Sequence, residues 1–200
     1  MGNAFWKALE GRHSVYGFDK EKPVAQEKIV EIAEKSLTLV PSSFNSQSTR
    51  IVVLFGEHHK KLWDIVLDAL RKVTDDAQFA KTEEKVRGAF QSGYGTVLFF
   101  EDQAVIRGLR EQFALYADKF PVWSEHTAAM HQFTVWVALA QEGLGASLQH
   151  YNPLIDDAVR KEWHVKETWK LTAQMPFGKP LSGPDEKDHM DMAERLKVFS

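Results

Sequence analysis

Cysteine is missing from all 200 residues. That excludes disulfides, thiolate nucleophiles and cysteine-ligated metals, and it fits a reducing compartment. No uninterrupted apolar run approaches the roughly 20 residues that span a bilayer. The opening MGNAFWKALEGRHS lacks the apolar core of a secretory signal. The expected setting is therefore cytoplasmic, with no membrane partner. Basic charge is not in excess: 25 Lys and Arg stand against 28 Asp and Glu, giving a net charge of -3 and a pI near 6.2. Nothing in that balance predicts a nucleic-acid partner. Internal repeats and linker-like stretches are missing too, which leaves one domain over 1–200, long enough to bury its own core. No Ser-His-Asp or paired-carboxylate signature is found. His58-His59, and His126 with His131, follow no common metal spacing.

Aromatic side chains are abundant, with 13 Phe and 6 Trp. Such rings fill cores, interfaces and clefts for flat ligands. Ala4, Phe5, Ala8 and Leu9 recur at helical spacing up to a stop at Gly11. A second helix opens at Pro23, with Ile29, Ile32, Ala33, Ser36 and Leu37 on one face. The continuous apolar runs 50–55 and 95–100 read as buried strands. Between them lie a strongly periodic helix over 62–73 and a charged, weakly patterned excursion over 74–92. Helices are predicted around Val105–Phe113, from Ser124 to Gly143, and from Asn152-Pro153 to Trp163. In the long central one, Met130, Phe133, Val137 and Ala140 form a stripe that suits core or a dimer seam. Residues 146–149 suit a short strand, and 169–175 alternate like a strand with one buried face. A loop is expected over 176–189, then an extended, adhesive Arg195-Leu196-Lys197-Val198-Phe199. This order predicts an α+β fold with a small central sheet.

Two polar stretches stand out. Arg12-His13-Ser14 offers a guanidinium fork and a hydroxyl two residues apart, a pair suited to phosphate oxygens. Pro41-Ser42-Ser43-Phe44-Asn45-Ser46-Gln47 holds neutral hydroxyl and amide groups between a helix and a buried strand. That chemistry suits an uncharged, edge-rich heterocycle, although Pro, Ser and Asn also make ordinary turns.

In this order, and followed by Glu142-Gly143-Leu144-Gly145-Ala146-Ser147 and Met175-Pro176-Phe177-Gly178-Lys179-Pro180, the chain resembles the FMN-dependent nitroreductase family. Three further strings are similar to a compact branch of that family: 93–102, Gln149-His150-Tyr151-Asn152 and 195–199. That branch includes yeast fatty-acid-repression-mutant-type proteins and the copper-induced nitroreductase of lactic-acid bacteria. The resemblance implies a nitroreductase-like fold with a mostly antiparallel sheet flanked by helices. It also implies an intertwined homodimer with its C-terminal segment exchanged, and FMN shared between the two chains. Arg12 and Ser14 are implied to hold the FMN phosphate, with His13 contributing backbone. Ser42, Ser43 and Asn45 would reach the flavin ring from the partner chain, with Gln47 supporting their loop. Gln149 and His150 would lie beside the ring, and Lys85 (or Lys81) would supply a cation. Lys187, with Arg195 as the alternative, would be the second cationic phosphate contact. The implied activity uses NADH or NADPH for two-electron, ping-pong reduction of nitroaromatics or quinones, a small aromatic acceptor class. A flavin-holding sensor without significant turnover is the alternative. The sequence departs from the family in having no Asn near Lys81 and Lys85, and His189 where a second basic residue is common.

Overall fold

A computed structural model describes residues 3–19, 21, 23–183 and 187–200. Its elements run α1 (Ala4–Gly11), β1 (Phe18–Asp19), α2 (Gln26–Leu39), β2 (Thr49–Phe55), α3 (Gly56–Arg71) and α4 (Asp76–Lys85). There follow β3 (Gly95–Asp102), α5 (Gln103–Gln112), α6 (Phe120–Gln141), β4 (Gly145–Ala146), α7 (Asp156–Glu162), β5 (Trp169–Pro180) and α8 (Met192–Arg195). All strand pairs are antiparallel, in the order β1-β5-β3-β2 with β4 also on β5.

The apolar runs are continuous because the sheet is covered on both faces. Every residue of β3 is buried. Its Val97 and Phe99 enter one core with Ile29 and Ile32 of α2 and Val135 and Leu139 of α6. Leu98 and Phe100 enter the other, with Leu62, Trp63 and Val66 of α3 and Val159 of α7.

β5 corrects the expected pattern. It is not half-exposed and does not give way to loop at Pro176: it runs to Pro180, and Leu171–Gly178 are all buried. Its polar residues are buried because each finds a partner. Thr172 Oγ1 donates to the Phe99 carbonyl at 3.0 Å, and the Gln174 side chain accepts from the Tyr151 amide at 2.7 Å. Thr172 is also the extra residue of a bulge between the partners of Phe99 and Phe100. The bulge switches the strand's facing, so Leu171 joins the α3 core while Ala173, Met175 and Phe177 join the α6 core. Alternation read from sequence passes straight through such a switch.

Smaller differences have local causes. Helix α2 starts at Gln26, three residues after Pro23, and α6 starts at Phe120, with Pro121 inside its first turn. The charged excursion resolves into α4 and one π-helical turn, Val86–Phe90. The tail carries the one-turn helix α8 before its extended end, and residues 184–186 of the expected loop lie outside the described residues. Among the described residues, no helix is long and apolar enough to cross a membrane.

Candidate active site

Helix α1 ends with Arg12 in extended conformation (φ -88°, ψ 118°). The next residues run against β4: Ser14 bridges Ala146, and the Val15 amide donates to the Ala146 carbonyl at 2.9 Å. Gly145 permits this approach, since a Cβ there would lie 2.6 Å from Val15. Gly143 has a different duty, ending α6 in the left-handed region at φ 75°. The Arg12 guanidinium lies 4.5 Å over the Trp136 ring and makes no ion pair or hydrogen bond with a described side chain. A half-buried cation with all five donors uncommitted is a ready anion grip.

Further sequence-predicted residues join this neighbourhood. Gln149 pairs its backbone with Gln174, and its side chain donates to Ser147 Oγ at 3.1 Å. His150 follows it, exposed. Tyr16 lies 6.4 Å from the Phe90 ring, Phe90 lies 6.4 Å from Tyr151, and the Lys85 ammonium sits 5.9 Å over Phe90. Tyr16, Phe90, Tyr151 and Trp136 were not anticipated, because an aromatic in an apolar stretch looks the same whether it faces a core or a site. The π turn holding Phe90 is fixed by a chain of buried donors. The Trp63 indole donates to Thr96 Oγ1 at 3.1 Å, Thr96 Oγ1 lies 2.8 Å from His59 Nδ1, and His59 Nε2 lies 3.2 Å from the Gln91 carbonyl. A carbonyl only accepts, so Nε2 carries the proton and Nδ1 accepts from Thr96. Burial holds His59 neutral, with its pKa lowered to about 4.

The loop 41–47 is built on other principles. Phe44, Asn45 and Gln47 all take left-handed backbone (φ 56°, 50° and 48°) without being glycine. Such conformations cost about 1 kcal/mol or more each and persist only when the surroundings impose them. The surroundings here do. The Phe44 ring docks 4.7 Å from Phe113 and 5.2 Å from Phe120, near Tyr116 and Trp123. Ser42 Oγ accepts the Gln47 amide at 3.0 Å. Arg50 donates to the Gln47 carbonyl at 2.6 Å and to Asp102 Oδ2 at 3.2 Å. Ser48 and Thr49 hydroxyls both donate to the Glu101 carboxylate at 2.5 Å. Burial raises the Glu101 pKa, those two hydroxyls opposing it. Burial also pushes Asp102 up, but Thr168, the Ala104 amide and Arg50 outweigh it and leave the carboxyl below its usual range.

The grip and the loop are not together. Ala146 pairs with Phe177 of β5, whereas Thr49 pairs with Glu101 and through it with Lys170. Those levels are seven residues apart on β5, roughly 23 Å at the usual strand rise. Ser42, Ser43, Asn45 and Gln47 therefore stand at one end of the sheet, with Arg12, His13, Ser14, Gln149 and His150 towards the other. The hollow beside the loop, lined by Ser42, Gln47, Thr49, Arg50 and His131, measures about 200 Å³. Lys187 and Arg195 lie on the exposed C-terminal segment.

A helix-covered antiparallel sheet carrying these two polar clusters defines a class of protein. The nitroreductase family pattern matches residues 9–179, and the chain belongs to the nitroreductase family. It is 33% identical to the nitroreductase FRM2 of Saccharomyces cerevisiae over 185 residues, covering 92% of this chain and 91% of that one. The yeast protein HBN1 is 34% identical over 188 residues, 93% of each chain. Among solved structures, the nitroreductase CinD of Lactococcus lactis in complex with chloramphenicol superposes with a TM-score of 0.86 at 45% identity, covering 98% of this chain and all of CinD. CinD in complex with 4-nitrophenol gives the same values. The protein is thus an oxidoreductase of the nitroreductase family with a nitroreductase-like fold.

Proposed function

We propose that this protein is an FMN-dependent oxidoreductase that uses NADH or NADPH to reduce small nitroaromatics or quinones by two electrons, in a ping-pong order. The observation that carries the reading is Arg12, a half-buried fork without an acidic partner, seated beside Ser14 on backbone fixed by β4. These residues fit a flavin's terminal phosphate, with His13 contributing backbone and Lys187 (or Arg195) a second cation. Gln149 and His150 lie along the ring of the same site, and Lys85 supplies positive charge near it. Ser42, Ser43 and Asn45 come from a second copy, with Gln47 supporting their loop. Bound FMN would supply two-electron redox chemistry between the nicotinamide and the acceptor. The protein's residues hold the phosphate, orient the ring and present an aromatic wall, Phe44 with Phe113, Tyr116 and Trp123. The solved complexes of CinD hold nitroaromatic and aromatic ligands of the size such a wall suits.

Because one chain keeps grip and loop apart, the site needs a homodimer. Three exposed apolar features support that assembly. Met130 and Phe133 of α6 lie open, and Phe133 lines with Phe5, Leu9 and Val137 a hollow of about 270 Å³. Strand β2 pairs only with β3, leaving one edge free. Leu196, Val198 and Phe199 of the extended tail are exposed, Phe199 by 92%. Exchange of this tail between copies covers apolar surface that water would otherwise meet. The single domain over 1–200 works in this paired form, in the cytosol that its cysteine-free composition suits.

Purified protein is expected to be yellow and to bleach under NADH or NADPH without oxygen. A preparation still colourless after added FMN overturns the reading, and yellow protein that neither nicotinamide bleaches makes it a flavin-holding sensor. Arg12→Ala removes a charge-assisted contact of about 1.5–3 kcal/mol, which lowers FMN affinity about tenfold or more. Chain truncation after Asp191 is expected to shift the protein from dimer to monomer by light scattering.

A further inference from the structure

Arg12 is held by an unusual neighbour for an anion grip. Its guanidinium carbon lies 4.5 Å above the ring of Trp136, a half-buried residue in the middle of α6. A guanidinium over an indole face is the strongest common cation–π pairing, and it fixes the plane of the fork while leaving its N–H donors free. The Trp136 indole nitrogen is itself buried without a hydrogen-bond partner among the described residues. The ring's one polar engagement is therefore its face, turned to Arg12. The cation, in turn, has no carboxylate or carbonyl partner among the described residues to aim it. A long side chain held by neither would sample many rotamers, and each would have to be frozen on binding.

We propose that Trp136 is a positioning residue for the anion grip: its indole face holds the Arg12 fork in the single orientation that meets the terminal phosphate of the flavin. The inference rests on the flavin reading given above and adds a residue 124 positions away in the chain. It assigns no contact between Trp136 and the flavin. The effect of Trp136 must therefore act through Arg12 and be confined to the phosphate.

Riboflavin, which lacks that phosphate, separates this role from simple packing. The full-length protein, stripped of flavin, is titrated with FMN and with riboflavin by fluorescence quenching, alongside Trp136→Leu, Trp136→Phe, Arg12→Ala and the Arg12→Ala/Trp136→Leu double variant. Thermal melts confirm that each remains folded. Cation–π energies correspond to a loss of about three- to thirtyfold in FMN affinity for Trp136→Leu, with riboflavin affinity unchanged. Trp136→Phe keeps a weaker ring face and is expected to lose less. In the Arg12→Ala background, Trp136→Leu should cost nothing more. Equal weakening of FMN and riboflavin, unchanged FMN affinity, or a full additional loss in the double variant each overturns the proposal. Should Trp136→Leu unfold the chain, Trp136→Phe carries the same comparison. An FMN-to-riboflavin ratio that Arg12→Ala leaves untouched overturns the phosphate assignment itself and is distinct from those results.

Discussion

The two halves of the site are stabilised in opposite ways. The grip at Arg12–Ser14 is under-committed: a free guanidinium, a backbone seated against β4, and few side-chain hydrogen bonds. The loop at 42–47 is over-determined, with three left-handed non-glycine residues held by Arg50, Ser42, a buried Glu101 and an aromatic nest. A group that must bind a charged ligand gains from having no internal partner. A loop whose shape presents neutral edges gains from having every backbone group tied. On the proposed reading, anion binding in this chain rests on availability and ring binding on rigidity.

The largest test removes the grip's seat. Gly145→Val would place branched carbons where Val15 already sits within 2.6 Å of a Cβ. The neighbour is itself β-branched and backbone-anchored, so relief requires lifting residues 12–15 off β4. A loss of about 2–4 kcal/mol is expected, in the range of severe overpacking, and FMN retention should fall with it. Urea unfolding read beside flavin content checks both. Full flavin content would show that the grip does not depend on this seat.

Next in size is the pH response, where His59 beside the grip and Glu101 beneath the loop should differ in sign. His59, which fixes the π turn beside the grip, has a folded pKa of about 4 against an ordinary 6.5. Between those values the unfolded chain binds the proton first, so stability is fully present above pH 6.5 and falls as the pH drops towards 4. The loss is at most roughly 3 kcal/mol. His131, buried against Ser36 with a pKa of about 4, adds to the same slope. Glu101 beneath the loop behaves oppositely. Its raised pKa means the folded chain binds the proton first above the ordinary 4.5, and stability falls as the pH rises through that shifted range. Urea midpoints between pH 4 and 7 should be less steep for His59→Gln and steeper for Glu101→Gln. Identical slopes in all three proteins would remove the contrast.

Arg50→Ala follows, at about 2 kcal/mol. It strips the Gln47 carbonyl of its donor and leaves Asp102, largely buried, without its cation. Because the damage lies at the ring end, riboflavin and FMN should weaken equally, whereas Arg12→Ala weakens FMN alone. A phosphate-selective loss in Arg50→Ala would erase the distinction between the halves.

What the sequence disclosed and what it hid follow from the same physics. Burial on two faces makes β2 and β3 legible as apolar runs, and the periodicity of α3 and α6 reflects the burial of one face of each. The polar stretches were visible as chemistry because Arg12, Ser14, Ser42 and Asn45 are not core residues. The bulge at Thr172 was hidden, since a hydroxyl satisfied by the Phe99 carbonyl looks like an exposed one. So was the extension of β5 through Pro176. The engagement of Trp136 was hidden because its partner, Arg12, comes from a distant segment. Strain at 44–47 leaves no compositional trace at all, because the residues that adopt it are ordinary and the restraints are spread over Ser42, Arg50 and 101–123.

That strain gives the smallest test and the most specific one. Gln47 holds φ 48°, and its side chain, exposed, makes no hydrogen bond with a described residue. Its backbone alone is used, the amide on Ser42 and the carbonyl on Arg50. Glycine adopts that conformation freely, so Gln47→Gly relieves about 1 kcal/mol, partly offset by the entropy glycine adds to the unfolded chain. The melting temperature should hold or rise by about 2–4 °C for a chain of this size, while affinity for riboflavin falls. A residue kept at a cost to folding, whose side chain makes no hydrogen bond with a described residue, would be explained on the proposed dimer by a contact with the second copy. If the melt rises and riboflavin binding is untouched, the left-handed turn serves only the shape of the loop, and Gln47 has no part in the ring site.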